Sequence, residues 1–539
     1  MVNPQRSKTP EKPILQRPGR AQPQASPPSE SAINLKPTTP EGVLQLQRLI
    51  GNQATRRIIR QQESVPIQRF PARAAIIKRV GKTPHRRRRG SKRYKELLDL
   101  ADTYNDHIKK TNIGSDLDEI KSQFTELAHM LDAIGLIINE YKGGRKSSKK
   151  TQILTLENDL NEERKFVSNT LIRYVTNPPP INVSDRGGTL LASAINSQMN
   201  YSNTVNIDPR TQGNTQQGGM KSVTEYTVGG TSGFFKEQQD TLYNPAPGED
   251  RDKVVDKVVE QQNAELEGVT DEAERTRIKG KYSSKLTEYD LAVDTVGIDP
   301  DNARMTQRDV AMSLIDSLLE ANVIARAQFA IMNVPGAQKT GGFMESAKGS
   351  KASDLYDSDA IAKNSQSKTD PGQISAEDPT LFRLLSRLQL IDLLALQIDR
   401  GLQNYFIEYD SSGKILGITG IDNDLALGKN VGIEQGKFPE TLKGHQLPGI
   451  SRFVDKELAQ RILQLDAALL RLLLVNLLSP AELLALTRRL SILQNALKSA
   501  ESKLLQPEDW KDHIDAVMHE GVNKSYAATL RDKLEWQRN

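Results

Sequence analysis

Asp399 and Asn404, five positions apart in Asp399-Arg-Gly-Leu-Gln-Asn404, and the acidic run Ile421-Asp422-Asn423-Asp424 are the residues of this chain best suited to chemistry. Phosphoryl transfer needs one carboxylate to orient the attacking hydroxyl, with an amide and a second carboxylate to hold magnesium against nucleotide phosphates. Asp399 suits the first task, and Asn404 and Asp422 the second. Asp424 is either a second metal-facing carboxylate or a turn residue. Taken singly, the same residues read as a helix cap and a turn, and their succession favours the chemical reading.

The elements around them must bring them together. Residues 381–398 have helical apolar spacing and lead into Asp399. Tyr405–Tyr409 and Lys414–Thr419 read as strands joined by Asp410-Ser-Ser-Gly413, a hairpin that would set Asp422 beside Asn404. Upstream, Ser222–Val228 and Phe234–Glu237 read as strands around Gly229-Gly230-Thr231-Ser232-Gly233. Glycines let a backbone approach phosphates closely, and Lys236 beyond the loop would reach the same phosphates, with Lys221 the second choice. The alternative is an ordinary glycine-rich hairpin. Thr306–Glu320 is an amphipathic helix with Val310, Leu314 and Leu318 on one face and Asp309, Asp316 and Glu320 on another. One of these acids would pair with the lysine, unless they form a solvated face.

Asp399-Arg-Gly-Leu-Gln-Asn404 and Ile421-Asp-Asn-Asp-Leu-Ala-Leu427 resemble the D-R-G-x-x-N and I-D-N-G-L-A motifs of type II phosphatidylinositol 4-kinases and of bacterial effectors with that atypical kinase fold. The resemblance implies an α+β, two-lobed atypical protein or lipid kinase-like domain that binds ATP and Mg2+. Asp399, Asn404 and Asp422 would be catalytic, and Asn404, Asp422 and Asp424 would face the metal. Gly229, Gly230, Thr231, Ser232, Gly233 and Lys236 would hold phosphates. The family's E-x-x-x-x-L-x-D helix pattern places Asp309 at the glutamate and Asp316 at the later aspartate, an Asp-for-Glu departure that weakens the expected ion pair. Arg326–Met332 and Gly341–Ser346 would lead to a hinge where Glu345 to Ala347 offer backbone groups to adenine. Residues 427–436 would form an activation or substrate loop.

With 539 residues the chain has room for two to four domains. Lys plus Arg total 73 against 68 Asp plus Glu, so charge is nearly balanced and implies no specific nucleic-acid partner. The lack of cysteine excludes disulfides, thiolate catalysis and cysteine-ligated metal. Met1–Pro10 has no apolar core behind its basic residues, which argues against Sec-dependent export. The most apolar stretch, 467–480, is interrupted by Arg471, Asn476 and Pro480 and falls short of the roughly 20 residues of a membrane span. It reads as a buried helix, so no transmembrane segment is expected.

Along the chain, 1–40 is a disordered leader rich in Pro, Gln and Ser. Residues 41–64 hold a short amphipathic helix, 65–93 a basic linker, and 94–180 a helical hairpin closed by Pro178-Pro-Pro180. A small lobe over 185–346, with a charged helical insertion at about 244–301, precedes a helical large lobe over 347–539. The basic run 85–93 suits nucleic acid or an anionic membrane, but no aromatic side chains interleave with it, which favours a solvated linker.

Leu46-Gln-Arg-Leu-Ile-Gly-Asn-Gln-Ala-Thr-Arg-Arg-Ile58 resembles the L-Q-R-x-x-G-N-x-A-x-x-R-L motif of bacterial proteins associated with extracellular contractile injection systems. The two resemblances together imply a secreted effector or toxin, packaged through 44–60 from the bacterial cytoplasm and injected into a target cell. There it would phosphorylate a hydroxyl of a host protein or a phosphoinositide. The alternatives are a non-catalytic pseudokinase scaffold and a kinase-fold AMP or glutamyl transferase.

Overall fold

The computed structural model describes residues 88–113, 116–142, 147–176, 189–191, 194–195, 204–213, 215–217, 222–238, 251–272, 274–276, 278–279, 282, 289–356, 375, 377–432, 449–499, 503–520 and 525–530. The expected leader, the 44–60 helix and Lys221 lie outside them, as do 433–448. The chain divides into units Met1–Ile67 and Gln68–Asn539, and every described residue belongs to the second. That unit mixes helix and sheet, as the α+β expectation has it.

It opens with three helices, α1 (Arg88–Lys110), α2 (Leu117–Lys142) and α3 (Ser147–Thr176). Their buried residues recur at helical spacing: Leu97, Ala101, Tyr104 and Ile108; Ile120, Phe124, Leu127 and Leu131; Leu156, Leu160, Val167 and Leu171. Leu154 is 43% exposed, with Ile153 and Leu156 filling the inward positions beside it. The basic linker ends earlier than expected. Residues 88–93 are already helical, and Arg93 pairs with Glu96 at 3.0 Å and Glu140 at 3.1 Å.

A six-stranded sheet follows. Its strands are β1 (Thr204–Ile207), β2 (Thr215–Gln217), β3 (Ser222–Val228), β4 (Thr231–Glu237), β5 (Ala327–Val334) and β6 (Ala337–Glu345). They lie in the order β1-β5-β6-β4-β3-β2, antiparallel except for β1 beside β5. Between β4 and β5 the chain makes helices α4 (Arg251–Leu266) and α5 (Met305–Leu319). Ile207, Tyr226, Phe235, Ala330, Met332 and Phe343 form a small core on one sheet face. Side chains alternate across a strand, so Lys236 points to the opposite face, where α5 packs. Gly342 stands opposite Lys236 in the β4–β6 ladder, and a Cβ there would lie 3.2 Å from Thr306 Cγ2. The missing side chain brings α5 close to the sheet at the lysine.

Of the two readings of the α5 acids, the solvated face is the one that fails. Twelve of its residues are buried, Asp309 and Asp316 among them, because the helix lies between the sheet and other helices. Its acids are taken up internally. Asp316 Oδ1 accepts the N–H groups of Val323 (2.9 Å) and Ile324 (3.2 Å), fixing the chain as it leaves the helix. Burial pushes the Asp316 carboxyl up to about 6.

The remaining elements are β7 (Ser350–Lys351), α6 (Pro379–Ala395), β8 (Tyr405–Tyr409), β9 (Ile415–Gly420), β10 (Phe453–Asp455), α7 (Lys456–Gln464), α8 (Ala467–Leu474), α9 (Pro480–Lys498) and β11 (Lys503–Leu505). α6 starts sharply, with Asp378 Oδ1 accepting from Thr380 and Leu381 and Pro379 in its first turn. β8 pairs with β9 in the expected hairpin and with β7 on its other side. Ser479 and Glu482 form a capping box at the start of α9. Trp510 is buried.

The three N-terminal helices are not a separate preceding hairpin, as the sequence reading had them. α2 and α3 pack on α8, where Arg471 pairs with Asp132 at 2.6 Å and Ser168 Oγ donates to the Leu473 carbonyl at 3.2 Å. Lys121 of α2 pairs with Glu320 at the end of α5 at 2.9 Å. One hydrophobic core runs from Leu97 to Leu530. Among the described residues, no helix is long and apolar enough to cross a membrane.

Candidate active site

Two short segments carry the candidate chemistry, and backbone hydrogen bonds join them. α6 ends at Leu396, held at φ 57°, and the chain runs through Asp399 to a 3-10 turn, Leu402–Asn404, before entering β8. The other segment leaves β9 at Gly420, whose N–H donates to the Val323 carbonyl at 2.7 Å and whose carbonyl accepts from Ala325 at 2.9 Å. The Ile421 N–H then donates to the Asn404 carbonyl at 2.9 Å, which sets the acidic run beside the Asp399 loop. Asp422 follows at φ 57°, a left-handed conformation unusual for a residue with a side chain. It is held there from both sides: Gln397 Nε2 donates to its carbonyl at 2.7 Å, and the next N–H, of Asn423, donates to Asp309 Oδ1 at 3.0 Å.

Three carboxylates surround one ammonium. Lys236 Nζ lies 2.5 Å from Asp422 Oδ1, 3.5 Å from Asp424 Oδ2 and 3.7 Å from Asp309 Oδ2. Burial disfavours charge on Lys236, but the three aspartates outweigh it and hold its pKa well above the usual lysine value. The lysine charge holds Asp422 low against burial. Burial raises Asp309 and Asp424 despite the lysine, with neighbouring carboxylates adding to the rise. Three carboxyl groups gather around one ammonium, and an all-oxygen set of Asp422, Asp424 and Asn404 suits a hard divalent cation such as Mg2+. Among the described residues, no group of three His, Cys, Asp or Glu side chains converges as a metal site, so the Asn404 amide would have to complete this one.

Asp399 and Asn404 are bonded to each other. Asn404 Nδ2 donates to the Asp399 carbonyl at 2.6 Å and to its Oδ2 at 3.1 Å, which leaves the amide oxygen as the atom of Asn404 suited to a metal. The Asp399 carboxyl is pushed up to about 6 by burial and by the charge of Asp422, against the pull of Arg400. At neutral pH it is still ionised, and it is a stronger base than an ordinary aspartate.

Arg400 is the residue whose part the sequence reading missed. Nε and Nη2 grip Asp392 at 2.9 and 3.0 Å, Nη1 donates to the carbonyls of Asn404 (2.8 Å) and Ile421 (2.5 Å), and Nη2 donates to Asn423 Oδ1 at 2.6 Å. Five N–H groups thus meet five acceptors and clamp the two segments. The available signal was Asp392, a lone acid in the apolar run Leu390-Ile-Asp-Leu-Leu394, since a buried carboxylate requires a partner. Arg308 and Arg489 act further along the acidic segment. Arg308 donates to the Ala426 carbonyl at 2.7 Å and pairs with Glu482, and Arg489 donates to the carbonyls of Leu394 (2.9 Å) and Asn430 (2.6 Å). These fix residues 426–430, where the activation or substrate loop was expected to begin. Nothing in their sequence context marks them.

The expected five-residue phosphate loop is not formed. Gly229 and Gly230, at φ 58° and 88°, make a two-residue hairpin turn, while Thr231, Ser232 and Gly233 belong to β4 and pair with Val228, Thr227 and Tyr226. Gly233 is required by packing, since a Cβ there would lie 2.4 Å from Phe343 Cζ and 2.5 Å from the Met344 carbonyl. Ser232 Oγ bonds Glu225 at 2.5 Å. At the far end of β6, the N–H groups of Glu345 and Ser346 donate to the carbonyls of Arg326 and Ser232, both at 2.9 Å. Glu345 therefore has no free N–H to offer adenine, and backbone donors for a base would start at Ala347.

Compared with protein-family models and with curated proteins, the chain matches none.

Proposed function

We propose that the chain is an ATP- and Mg2+-dependent phosphotransferase with a two-lobed, atypical kinase-like arrangement. The sheet and α5 would form the small lobe and residues 347–539 the large one. The observation that carries this reading is the convergence of Lys236, Asp309, Asp422 and Asp424, from three separate parts of the chain, beside the bonded pair Asp399–Asn404. Those residue types match what phosphoryl transfer requires: a cation for phosphates, an acid holding that cation, oxygen ligands for magnesium and a carboxylate base.

Lys236 supplies the cation for the nucleotide phosphates, and Asp309 keeps it in the site. Asp422, Asp424 and the Asn404 amide oxygen would hold magnesium, which when bound supplies neutralising charge to the transferring phosphoryl group. Asp399 orients the acceptor hydroxyl and takes its proton, a task that its raised basicity favours. The acceptor is a hydroxyl of a host protein or a phosphoinositide. Delivery from the bacterial cytoplasm to a target cell by a contractile injection system rests on the 46–58 motif, and such a protein would act as an effector or toxin.

The test is transfer of labelled γ-phosphate from ATP to host lysate proteins and, in parallel, to phosphoinositide vesicles. The wild-type chain should label one of the two only when magnesium is present, and Asp399→Ala should abolish labelling while the variant stays folded. Equal labelling by Asp399→Ala would refute the assignment.

A further inference from the structure

The short helical turn at 525–530 docks through Tyr526 on α6, the helix that leads into the Asp399 loop. The Tyr526 N–H donates to Gln389 Oε1 at 3.2 Å and its hydroxyl to Asp392 Oδ2 at 2.9 Å. Gln389 and Asp392 are three residues apart on α6 and so share one helix face. Within the turn, Ser525 Oγ accepts from the Ala528 N–H at 3.1 Å, and Tyr526, Ala527, Ala528 and Leu530 are all buried. The turn is therefore docked at two points on the helix that leads into Asp399.

Asp392 is wholly buried, and its remaining bonds go to Arg400, which in turn holds the Asn404 and Ile421 carbonyls and the Asn423 side chain. A buried carboxylate that loses one of its donors must shift to recover the lost interaction, and every arginine bond downstream shares that shift. We propose that Tyr526 is a positioning residue of the catalytic loop: by fixing Asp392 it fixes Arg400, and through Arg400 the spacing between Asp399–Asn404 and Asp422–Asp424. The proposal rests on the phosphotransferase reading of those residues. It makes the far C-terminal part of the chain, 134 residues beyond Asp392, a structural condition of the chemistry.

Full-length Tyr526→Phe tests this, with Tyr104→Phe as the control. Tyr104 makes a buried phenol–carboxylate bond of the same kind, to Glu163 at 2.6 Å, within the N-terminal helices. Both variants should lose thermal stability. Only Tyr526→Phe should lower kcat, by about tenfold, with KM for ATP within about twofold of wild type. Amide hydrogen exchange at Asn404 and Ile421 should accelerate in Tyr526→Phe and not in the control. Unchanged kcat and unchanged exchange in Tyr526→Phe would overturn the proposal and leave the residue a stabilising tyrosine only. If Tyr526→Phe does not fold, Gln389→Ala, which removes the other docking point, should give the same two changes, and their absence overturns the proposal equally. A wild-type chain without transfer would defeat the phosphotransferase reading instead. The exchange measurement then decides the positioning role by itself.

Discussion

Asp309 does two jobs with one short side chain. Its Oδ2 faces Lys236 at 3.7 Å while its Oδ1 accepts the Asn423 N–H at 3.0 Å, so it ties lysine and acidic loop together. A glutamate would carry its carboxylate about one carbon–carbon bond further into a site that the Gly342 contact already makes tight. Asp309→Glu should therefore lower kcat/KM by about tenfold or more despite the retained charge. Steady-state kinetics beside Asp309→Asn checks this, and full activity of the glutamate variant would show that only the charge matters. Asp316, one turn pair along the same helix, contributes through pH. Its folded-state pKa is raised, so the folded protein binds the proton more tightly than the unfolded chain, and stability falls as pH rises from about 3.8 to about 6. The loss is on the order of 3 kcal/mol. Asp316→Asn keeps the oxygen that accepts from Val323 and Ile324 but cannot ionise. Its melting temperature should rise relative to wild type as pH goes from 4 to 7, and a constant difference would contradict the assignment. At this scale Asp399, Asn404, Asp422 and Lys236 were legible from type, spacing and order. The partners of Arg400 were not, because three of its five bonds end on backbone carbonyls or an amide oxygen, and a carbonyl has no signature in a sequence.

Among the elements, the strands before and after the β5–β6 turn, the β8–β9 hairpin and helices α5 and α6 follow the periodicity of their residues closely. The glycine segment does not. Thr231–Gly233 reads locally as loop, yet it pairs with Tyr226–Val228 of β3, and Gly233 is the residue that lets β4 fit against Phe343 and Met344 of β6. Similarly, a solvated face stays open as a reading of the α5 acids because one helix considered alone cannot show that its polar side is covered as well. Gly341 gives the sharpest test of the strand geometry. A Cβ there would lie 2.0 Å from the Lys236 carbonyl, so Gly341→Ala must push β6 from the strand that carries the lysine. The substitution should cost about 1–3 kcal/mol of stability. It should also raise KM for ATP, since Lys236 moves with its strand. Unaltered KM in a destabilised variant would mean that the lysine position is not critical to nucleotide binding.

On the scale of the whole molecule, the N-terminal helices share their core with α8 and α5, which composition and periodicity could not reveal, since an apolar stripe does not name its partner. A chain of residues 88–539 should therefore unfold cooperatively near the full-length melting temperature. A chain of residues 185–539, which leaves the apolar surface of α8 bare, should be insoluble or melt far lower. Calorimetry of the two truncations decides it, and equal stability would show that the helices are dispensable. Deleting residues 1–64 should leave transfer intact while removing the protein from purified injection particles. Normal loading of that deletion would remove the delivery proposal alone.

Titration of ATP onto the full chain, with and without magnesium, tests the central claim most directly when wild type, Asp399→Ala and Asp422→Ala are compared. Wild type and Asp399→Ala should bind ATP in a magnesium-dependent manner. Asp422→Ala should lose most of that dependence, because Asp422, unlike Asp399, combines contact with Lys236 and a place among the metal ligands. Magnesium-independent binding by wild type, or undiminished magnesium-dependent binding by Asp422→Ala, would contradict it.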